Sequence, residues 1–322
     1  MDATLVTGAT GLVGYNIVAA LMRRGRPVRA LVRSVERAGR ILTEQCELVE
    51  GDITDKPSFK RAMQGCSVVY HTAGIPEQWL PNPGTFQEVN VGGTQNAIEA
   101  ALEQGVRRFI YTSTADVFYA PLGQEFDESK LDSRSLGTYY ERSKQDADRL
   151  VAEAFQRGLP AIFLHPAGVY GPGSADSPGN VMIMKLKRRQ IPGLPPGGSS
   201  VVFAPDAGEG HVLAEERAAP GSRYILSDTY YEVPEQVRMT LEALGTDQRP
   251  PPVLPLPLVQ GISILGEWLA RFTHRPPALP RGQLYFMQLR RHACGDKARR
   301  ELGWSTTPFR VGLQKTIEYL FR

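Results

Sequence analysis

A tyrosine and a lysine four residues apart, Tyr140 and Lys144, lie near the start of a segment with helical periodicity. Side chains at this spacing share one face of a helix. An ammonium beside a phenol favours the phenolate, so Lys144 is expected to lower the pKa of Tyr140 from about 10 towards neutrality. A phenol tuned in this way is a usable general acid or base. Taken alone, such a pair is more often a surface contact.

Two hydroxyl residues, Ser113 and Thr114, end a β-rich run that begins at Phe109. In a parallel α/β sheet, the carboxyl ends of the strands line the ligand crevice. A hydroxyl at that place can donate a hydrogen bond to a substrate carbonyl or stabilise developing charge on its oxygen. Either residue is suited to this role, and for each the alternative is a strand end that only contacts its neighbours.

A glycine-rich loop, Thr7 to Gly14, stands directly after an apolar strand and directly before a helical pattern. Its spacing is GxxGxxG, with glycine at Gly8, Gly11 and Gly14. Such glycines allow a tight turn, a close backbone approach to a diphosphate and helix–strand packing. The unpaired N–H groups and positive dipole end of the following helix favour an anion. The loop therefore predicts a dinucleotide site.

The second β-rich run ends at Arg33, with Arg37 and Arg40 close behind. Enzymes that prefer NAD usually place an acid here for the ribose hydroxyls, whereas an arginine accommodates the 2′-phosphate of NADP. The sequence therefore favours NADP(H) over NAD(H). The alternative is that the three arginines are solvated loop residues.

The elements that must position these groups alternate between strand and helix. Helical stripes are predicted over 11–24, 85–104 and 138–157. They separate the β-rich runs Ala3–Thr7, Val28–Val32, Glu47–Val49, Val68–His71, Phe109–Ser113 and Ala161–Leu164. This alternation, with right-handed crossovers, predicts the α/β class: a Rossmann-type doubly wound parallel sheet.

The texture of the chain changes after Gly171, where proline and glycine become frequent. We therefore expect a dinucleotide-binding Rossmann domain over residues 1–171. A smaller substrate-binding lobe is expected over residues 172–322, with some of its segments returning to the Rossmann sheet.

Taken together, the motifs resemble those of the extended short-chain dehydrogenase/reductase family. The matching segments, in chain order, are Thr7–Gly14, Gly51–Asp55, His71–Gly74, Asn90–Thr94, Ser113–Thr114, Tyr140–Lys144, Pro166–Pro172 and Asp296–Trp304. The resemblance covers nearly the whole chain and looks closest to the dihydroflavonol-4-reductase-like and 3β-hydroxysteroid-dehydrogenase-like branch, through segments such as Val106–Ser113 and Gly221–Leu226.

The resemblance implies a catalytic set of Thr114, Tyr140 and Lys144, with Ser113 beside it and Asn90 organising water and cofactor. The implied cofactor-binding residues are Gly8, Thr10, Gly11, Leu12, Val13, Gly14, Arg33, Arg37, Asp52, Ile53, Thr72, Ala73, Gly74, Thr112, Tyr140, Lys144, His165, Pro166, Gly168 and Val169. One departure is His165, where the family usually has arginine. A histidine at a strand end is more often structural than catalytic, although it can be recruited.

The implied activity is an NAD(P)-dependent interconversion of a ketone and a secondary alcohol. NADPH-dependent reduction of a lipophilic or polycyclic ketone is the form we expect. One alternative is a nucleotide-sugar epimerase or dehydratase with bound NAD; Arg33 and the sequence Ala115-Asp116 after Thr114 argue against it. The other is a non-catalytic NADP-binding redox sensor, which would not need Tyr140 and Lys144.

The bulk properties exclude several other classes of protein. A net charge of +3 without a concentrated basic face argues against nucleic-acid binding. Three cysteines without CxxC spacing indicate neither a disulfide framework nor a metal site and suit a reducing, cytoplasmic location. The most lipophilic tract, Val253–Phe272, is interrupted by proline, glycine and charge, so it is a poor membrane span. Two alternatives for this tract are a helix that lines a pocket and a helix that touches a membrane surface. A small-molecule substrate is expected, and the family resemblance makes a homodimer through the helices near 85–105 and 138–157 a further expectation.

Overall fold

A computed structural model describes residues 3–42, 46–135 and 137–322 of the chain. The strands are β1 (Ala3–Thr7), β2 (Val28–Val32), β3 (Glu47–Glu50), β4 (Cys66–His71), β5 (Arg108–Thr112), β6 (Glu125–Phe126), β7 (Ala161–Pro166), β8 (Gly168–Tyr170), β9 (Gly198–Phe203), β10 (Arg223–Leu226), β11 (Thr229–Glu232) and β12 (His292–Ala293).

The helices alternate with these strands over the first half of the chain. They are α1 (Leu12–Arg23), α2 (Val35–Gly39), α3 (Lys56–Met63), α4 (Gly84–Phe86), α5 (Gly93–Gln104), α6 (Tyr139–Gln156), α7 (Pro178–Lys187), α8 (Ala204–Arg217), α9 (Val233–Ala243), α10 (Leu256–Thr273), α11 (Arg281–Leu289), α12 (Asp296–Leu302) and α13 (Phe309–Leu320). A π-helical stretch, Gln87–Gly92, joins α4 to α5, and a 3₁₀ turn, Ala115–Val117, follows β5.

The central sheet has seven strands in the order β10-β7-β5-β4-β1-β2-β3, and every pairing within it is parallel. The predicted Rossmann-type doubly wound sheet is thus confirmed, with strand and helix bounds close to those read from periodicity. The order reverses beside β1, and ligands bind at such a switch point in open α/β sheets.

Both faces of the sheet are covered by apolar helix surfaces. One core layer holds α1 and α8 side chains such as Ile17, Leu21 and Val212, together with Trp304. The other holds side chains of α3, α5 and α6, including Phe59, Ile98 and Val151. The strands read as apolar runs because both of their faces are buried.

Residues after 172 divide between the central sheet and smaller layers. Strand β10 forms the edge of the central sheet beside β7. Helix α8 packs so closely on α1 that a Cβ on Gly208 would lie 2.5 Å from the carbonyl carbon of Asn16. Strands β11, β9 and β8 form a separate sheet, and β12 pairs with β6. Among the described residues, no helix is both long enough and apolar enough to cross a bilayer.

We predict that Gly14→Ala destabilises the chain, although alanine has the better helix propensity. A Cβ at Gly14 would lie 2.2 Å from the carbonyl oxygen of Gly8, and two backbone segments cannot move apart cheaply. The free energy of unfolding in urea should fall by about 3 kcal/mol. Gly261→Ala is the matched control, because Gly261 lies within α10 with nothing within 4 Å of the added Cβ. That variant should gain about 0.5–1 kcal/mol, and equal effects in the two variants would contradict the steric argument.

Candidate active site

The residues singled out from the sequence converge on one edge of the central sheet. They follow the carboxyl ends of parallel strands β1, β2, β3, β4, β5 and β7, and Tyr140 and Lys144 come from the first turns of α6. In a parallel sheet these strand ends lie side by side, so chain segments more than 100 residues apart meet at one crevice.

The glycine-rich loop is shaped by backbone contacts. Gly8 has φ +68°, and a Cβ on it would lie 2.8 Å from the amide nitrogen of Ala73. The Gly11 N–H donates to the Gly8 carbonyl at 2.9 Å. Gly11 itself is exposed at the start of α1, where no side chain caps the helix, so a side chain there would enter the space in front of the helix N-terminus. Thr10, Leu12 and Val13 flank this cradle, which fits a diphosphate.

Arg33 and Arg37 are exposed at the end of β2 and in the short helix α2. In the part of the chain that the structure describes, neither guanidinium has an ion-pair partner, whereas Arg40 pairs with Glu36. Arg33 lines a cavity of about 450 Å³ that continues along the loop after β4, including Gly74 and Glu77. An exposed guanidinium group that lines a cavity, with a second exposed arginine four residues along the chain, suits a phosphate.

Asp52 and Ile53 follow β3 and have different environments. The Asp52 carboxylate accepts from the amide and the hydroxyl of Thr54, each at 2.8 Å, and is partly exposed. The Ile53 side chain is buried against Gly93, and its carbonyl accepts from Asn96. The loop is therefore fixed, with one carboxylate oxygen of Asp52 already occupied.

A buried hydrogen-bond chain joins the glycine-rich loop to the helix that carries Asn90. The Ala73 N–H donates to the Thr7 hydroxyl, which lies 2.9 Å from His71 Nδ1. His71 Nε2 lies 3.1 Å from the Thr94 hydroxyl, and Thr94 donates to the Asn90 carbonyl at 2.6 Å. Because the Thr94 hydroxyl already donates its hydrogen bond to the Asn90 carbonyl, it can only accept from His71. His71 must therefore donate from Nε2 and accept at Nδ1. Burial, and to a smaller extent Lys144, lowers the pKa of His71 to about 3, which keeps this order of protons at neutral pH.

Asn90 connects two parts of the site through its side chain. Its amide nitrogen donates to the Ile75 carbonyl and to the Ser143 hydroxyl at 2.9 Å, and its oxygen accepts from the Ile75 N–H at 2.7 Å. Ser143 in turn donates to the Tyr140 carbonyl. Asn90 lies in the π-helical stretch, a distortion that often marks functional sites. In this structure its side chain fixes the loop after β4 against α6.

Lys144 is buried beneath the edge of the sheet, one helical turn from Tyr140. Its ammonium donates to the Thr112 carbonyl at 2.8 Å and lies 5.1 Å from the centre of the Tyr111 ring. Burial lowers the pKa of Lys144 to about 8. The Thr112 hydroxyl is held by His211 Nε2 at 3.0 Å, and His211 Nδ1 bonds the Ala207 carbonyl. Helix α8 thereby supports the strand end that receives Lys144.

The expectation that Lys144 lowers the pKa of Tyr140 is wrong for this structure. Burial and the nearby Asp116 carboxylate raise the pKa of Tyr140 above its ordinary value, and only the Thr114 hydroxyl opposes them. The physical reason is that the phenol is buried beside carboxylates, while the Lys144 ammonium donates to the Thr112 carbonyl. Tyr140 therefore holds its proton at neutral pH.

The structure separates the two hydroxyl residues that the sequence left open. The Thr114 hydroxyl lies beside Tyr140 and donates to Asp116 Oδ2 at 2.9 Å. Ser113 is buried on the other side of the chain, beside the phenol of Tyr111. Asp116 is also bonded to Arg291, whose side chain is almost fully buried, at 3.2 Å. Thr114 is therefore the hydroxyl next to the proposed acid.

The side chain of His165 makes its contacts inside the protein, and its place among the cofactor-binding residues stays a prediction. It is fully buried, with Nδ1 3.2 Å from the Thr114 carbonyl and Nε2 3.3 Å from Arg223. Its ring packs on Phe118 at 4.6 Å. The backbone of Pro166, Gly168 and Val169 continues past the edge of the sheet into β8.

Comparisons with known proteins agree with this geometry. A model of the NAD dependent epimerase/dehydratase family matches residues 4–225. The 4-hydroxy-2-methyl-3-oxo-4-farnesyl-3,4-dihydroquinoline-1-oxide ketoreductase of Stigmatella aurantiaca is 30% identical over 94% of this chain and 91% of its own length. Sterol demethylase protein B of Methylococcus capsulatus is 29% identical over 98% and 97%. The crystal structure of gox2253 superimposes with a TM-score of 0.84 and 32% identity, covering 99% of this chain and 98% of that one.

The chain belongs to the NAD dependent epimerase/dehydratase family. The resemblance to extended short-chain dehydrogenases/reductases, and with it an NAD(P)-dependent enzyme, is thereby confirmed.

Several residues around this family site escaped the sequence analysis. His71, Ser143 and His211 hold site residues in place, but their spacing along the chain carries no signal for those contacts. Arg291 reaches Asp116 across 175 positions of sequence. Asp116 itself follows Thr114 by two residues, so its capping bond to the threonine was the one contact that local sequence could have suggested.

We predict that stability falls steeply in mild acid because three histidines are buried in their neutral form. Burial lowers the pKa of His71 to about 3, that of His211 to about 4 and that of His165 well below its usual range. Between these folded-state pKa values and the unfolded value of about 6.5, the histidines are protonated in the unfolded chain and neutral in the folded chain. The free energy of unfolding therefore rises with pH across that window. Each histidine contributes a slope of about 1.4 kcal/mol per pH unit there.

Urea unfolding between pH 4 and 7 measures this slope. His71→Gln should reduce the slope by the contribution of one histidine, whereas His274→Gln, at an exposed position, should leave the slope unchanged. A slope that is the same in wild type and His71→Gln would show that His71 does not stay neutral in the folded state.

Proposed function

We propose that this family member is an NADPH-dependent reductase that converts a lipophilic ketone into a secondary alcohol. The observation that carries the proposal is the arrangement of Tyr140 and Thr114 over the crevice, with Lys144 buried one turn away. A proton donor, a neighbouring hydroxyl and a cation at the end of β5 are the groups that carbonyl reduction requires.

NADPH fits the residues present. The Gly8–Gly14 backbone and the N-terminus of α1 would hold the diphosphate, with no side chain in the way at Gly11. Arg33 and Arg37 would bind the 2′-phosphate, since both guanidinium groups lack a counter-ion in the described residues. Lys144 would hold the nicotinamide ribose with the ammonium hydrogens that the Thr112 carbonyl does not use.

The reduced nicotinamide supplies a hydride when it is bound. The role of the protein is to bind the carbonyl oxygen of the substrate and to donate a proton to it. Tyr140 is protonated at neutral pH, so it carries the proton that the reduced oxygen needs. Thr114 would bind the same oxygen after rotating its hydroxyl away from Asp116. Reduction uses Tyr140 in this protonated form, whereas oxidation would use the phenolate, which burial and Asp116 disfavour.

A lipophilic substrate is supported by two relatives. The Stigmatella aurantiaca relative is named as a ketoreductase of a farnesyl-bearing quinoline oxide, and the Methylococcus capsulatus relative as a sterol demethylase protein. We place the substrate pocket between the crevice and the lobe over residues 172–322, as predicted. Among the aromatic residues of this region, Phe118 and Tyr170 belong to the buried core, and Trp268 is exposed on α10. A homodimer and a cytoplasmic location stay predictions.

We predict that Tyr140→Phe abolishes ketone reduction while leaving NADPH binding intact. Loss of a positioned general acid should lower kcat about 1000-fold. Tyr139→Phe is the matched control, since Tyr139 is the neighbouring tyrosine and is 56% exposed. Turnover of aromatic and polycyclic ketones, followed by NADPH absorbance, measures kcat. Equal turnover in the two variants would remove Tyr140 from the chemistry.

We predict that Arg33→Asp weakens NADPH binding at least about tenfold and leaves NADH binding the same or tighter. The reason is that one charge-assisted contact to the 2′-phosphate is replaced by repulsion. Arg40→Asp makes the same charge change at an exposed arginine that pairs with Glu36, and it should have little effect. Cofactor fluorescence titration gives both dissociation constants. Protein that retains NAD through purification and converts nucleotide sugars, but no ketone, would instead establish the epimerase alternative.

A further inference from the structure

Helix α10 presents a broad apolar face to the surroundings of the protein. Large apolar side chains recur along it at intervals of three and four residues, which places them on one side of the helix. Their exposed fractions are Leu258 52%, Ile262 47%, Leu265 56%, Trp268 53%, Leu269 46% and Phe272 68%. Exposed apolar patches of this kind mark interaction surfaces.

The opposite side of α10 fixes the helix to the protein. Val259, Ser263 and Ala270 are buried, and the Ser263 hydroxyl donates to the Leu279 carbonyl at 2.7 Å. Helix α10 packs on α11, and a Cβ on Gly282 in α11 would lie 2.9 Å from the methyl group of Thr138, the residue that caps α6. The apolar face of α10 is therefore fixed in position, and only α11 separates α10 from the helix that carries Tyr140 and Lys144.

The charge around this face selects the kind of surface that can cover it. Between Asp247 and Asp296 the sequence has six arginines and a single acid, Glu267, and two of these arginines, Arg290 and Arg291, are paired with Glu232 and Asp116. Glu267 is already engaged by Arg281 at 2.6 Å. Arg271 and Arg275 are exposed at the end of the helix, beside Phe272. A second copy of α10 would bring these arginines only Glu267, which is already paired.

We propose that α10 is an interfacial helix that docks the enzyme on anionic lipid bilayers, with its apolar face in the headgroup region. A helix held along one side, with a Trp and a Phe on the other and arginines at its end, matches the chemistry of that boundary. Each exposed arginine adds attraction to anionic headgroups. The inference stands on exposure and charge and does not depend on the proposed reaction. Docking would place the lobe next to the phase in which lipophilic compounds dissolve.

The test is co-sedimentation of the full chain with phosphatidylcholine vesicles, with and without phosphatidylglycerol. We expect binding to the anionic vesicles, with a blue shift in tryptophan emission that Trp268→Phe removes. Leu265→Ser and Phe272→Ser should each lower the partition coefficient about tenfold. Arg271→Gln and Arg275→Gln should each lower it about fivefold.

Matched controls keep the result specific to α10. Val311→Ser changes a 40% exposed apolar residue in another helix, and Arg61→Gln changes an exposed arginine in α3; neither should alter partitioning. Circular dichroism confirms that each variant is folded. The proposal is overturned if the wild type fails to bind anionic vesicles. It is also overturned if the α10 and control variants bind equally. A dimer that Leu265→Ser dissociates, found without vesicle binding, would assign the face to a second copy of the chain.

Discussion

The candidate active site depends on the burial of one ammonium group at the edge of the sheet. Lys144 leaves water almost completely, which is costly unless the charge is compensated. The compensation comes from the Thr112 carbonyl and from the face of the Tyr111 ring, both supplied by β5. The contact between Lys144 and Thr112 therefore fixes the position of α6 along the end of β5. The same position places Tyr140 beside Thr114. The geometry of the proposed catalytic pair thus follows from where a lysine can be buried.

Layers of neutral hydrogen bonds support this arrangement without adding charge. His71 orders the protons between Thr7 and Thr94, and His211 holds the Thr112 hydroxyl from the other face of the sheet. Burial keeps both imidazoles neutral, so neither competes with Lys144 for a counter-charge. A charged histidine at either place would repel the ammonium. The positive charges described at the site are those of Lys144, of Arg291 beside Asp116 and of Arg33 at the cavity.

The parts of this site that could be predicted from sequence are those in which a local pattern has one structural solution. The glycine-rich loop works through backbone space, and Gly14 has no room for a Cβ. The spacing of Tyr140 and Lys144 likewise fixes a shared helix face. The pKa of Tyr140 was predicted in the wrong direction, because it is raised by burial and by the carboxylate of Asp116, which lies on another segment. The spacing of residues along the chain specifies which side chains can contact each other. The electrostatic potential at a side chain, and hence its pKa, depends on every group packed around it.

Asp116 also shows how the remote end of the chain enters the site. The Thr114 hydroxyl donates a hydrogen bond to one oxygen of Asp116, and Arg291 donates to the other. Together with burial, the Asp116 carboxylate raises the pKa of the Tyr140 phenol, and it holds the Thr114 hydroxyl turned aside. A substrate oxygen must draw Thr114 away from this contact before both hydroxyls can bind it. The C-terminal lobe thus acts on the proposed acid through a two-bond path, in addition to any wall it forms around the substrate.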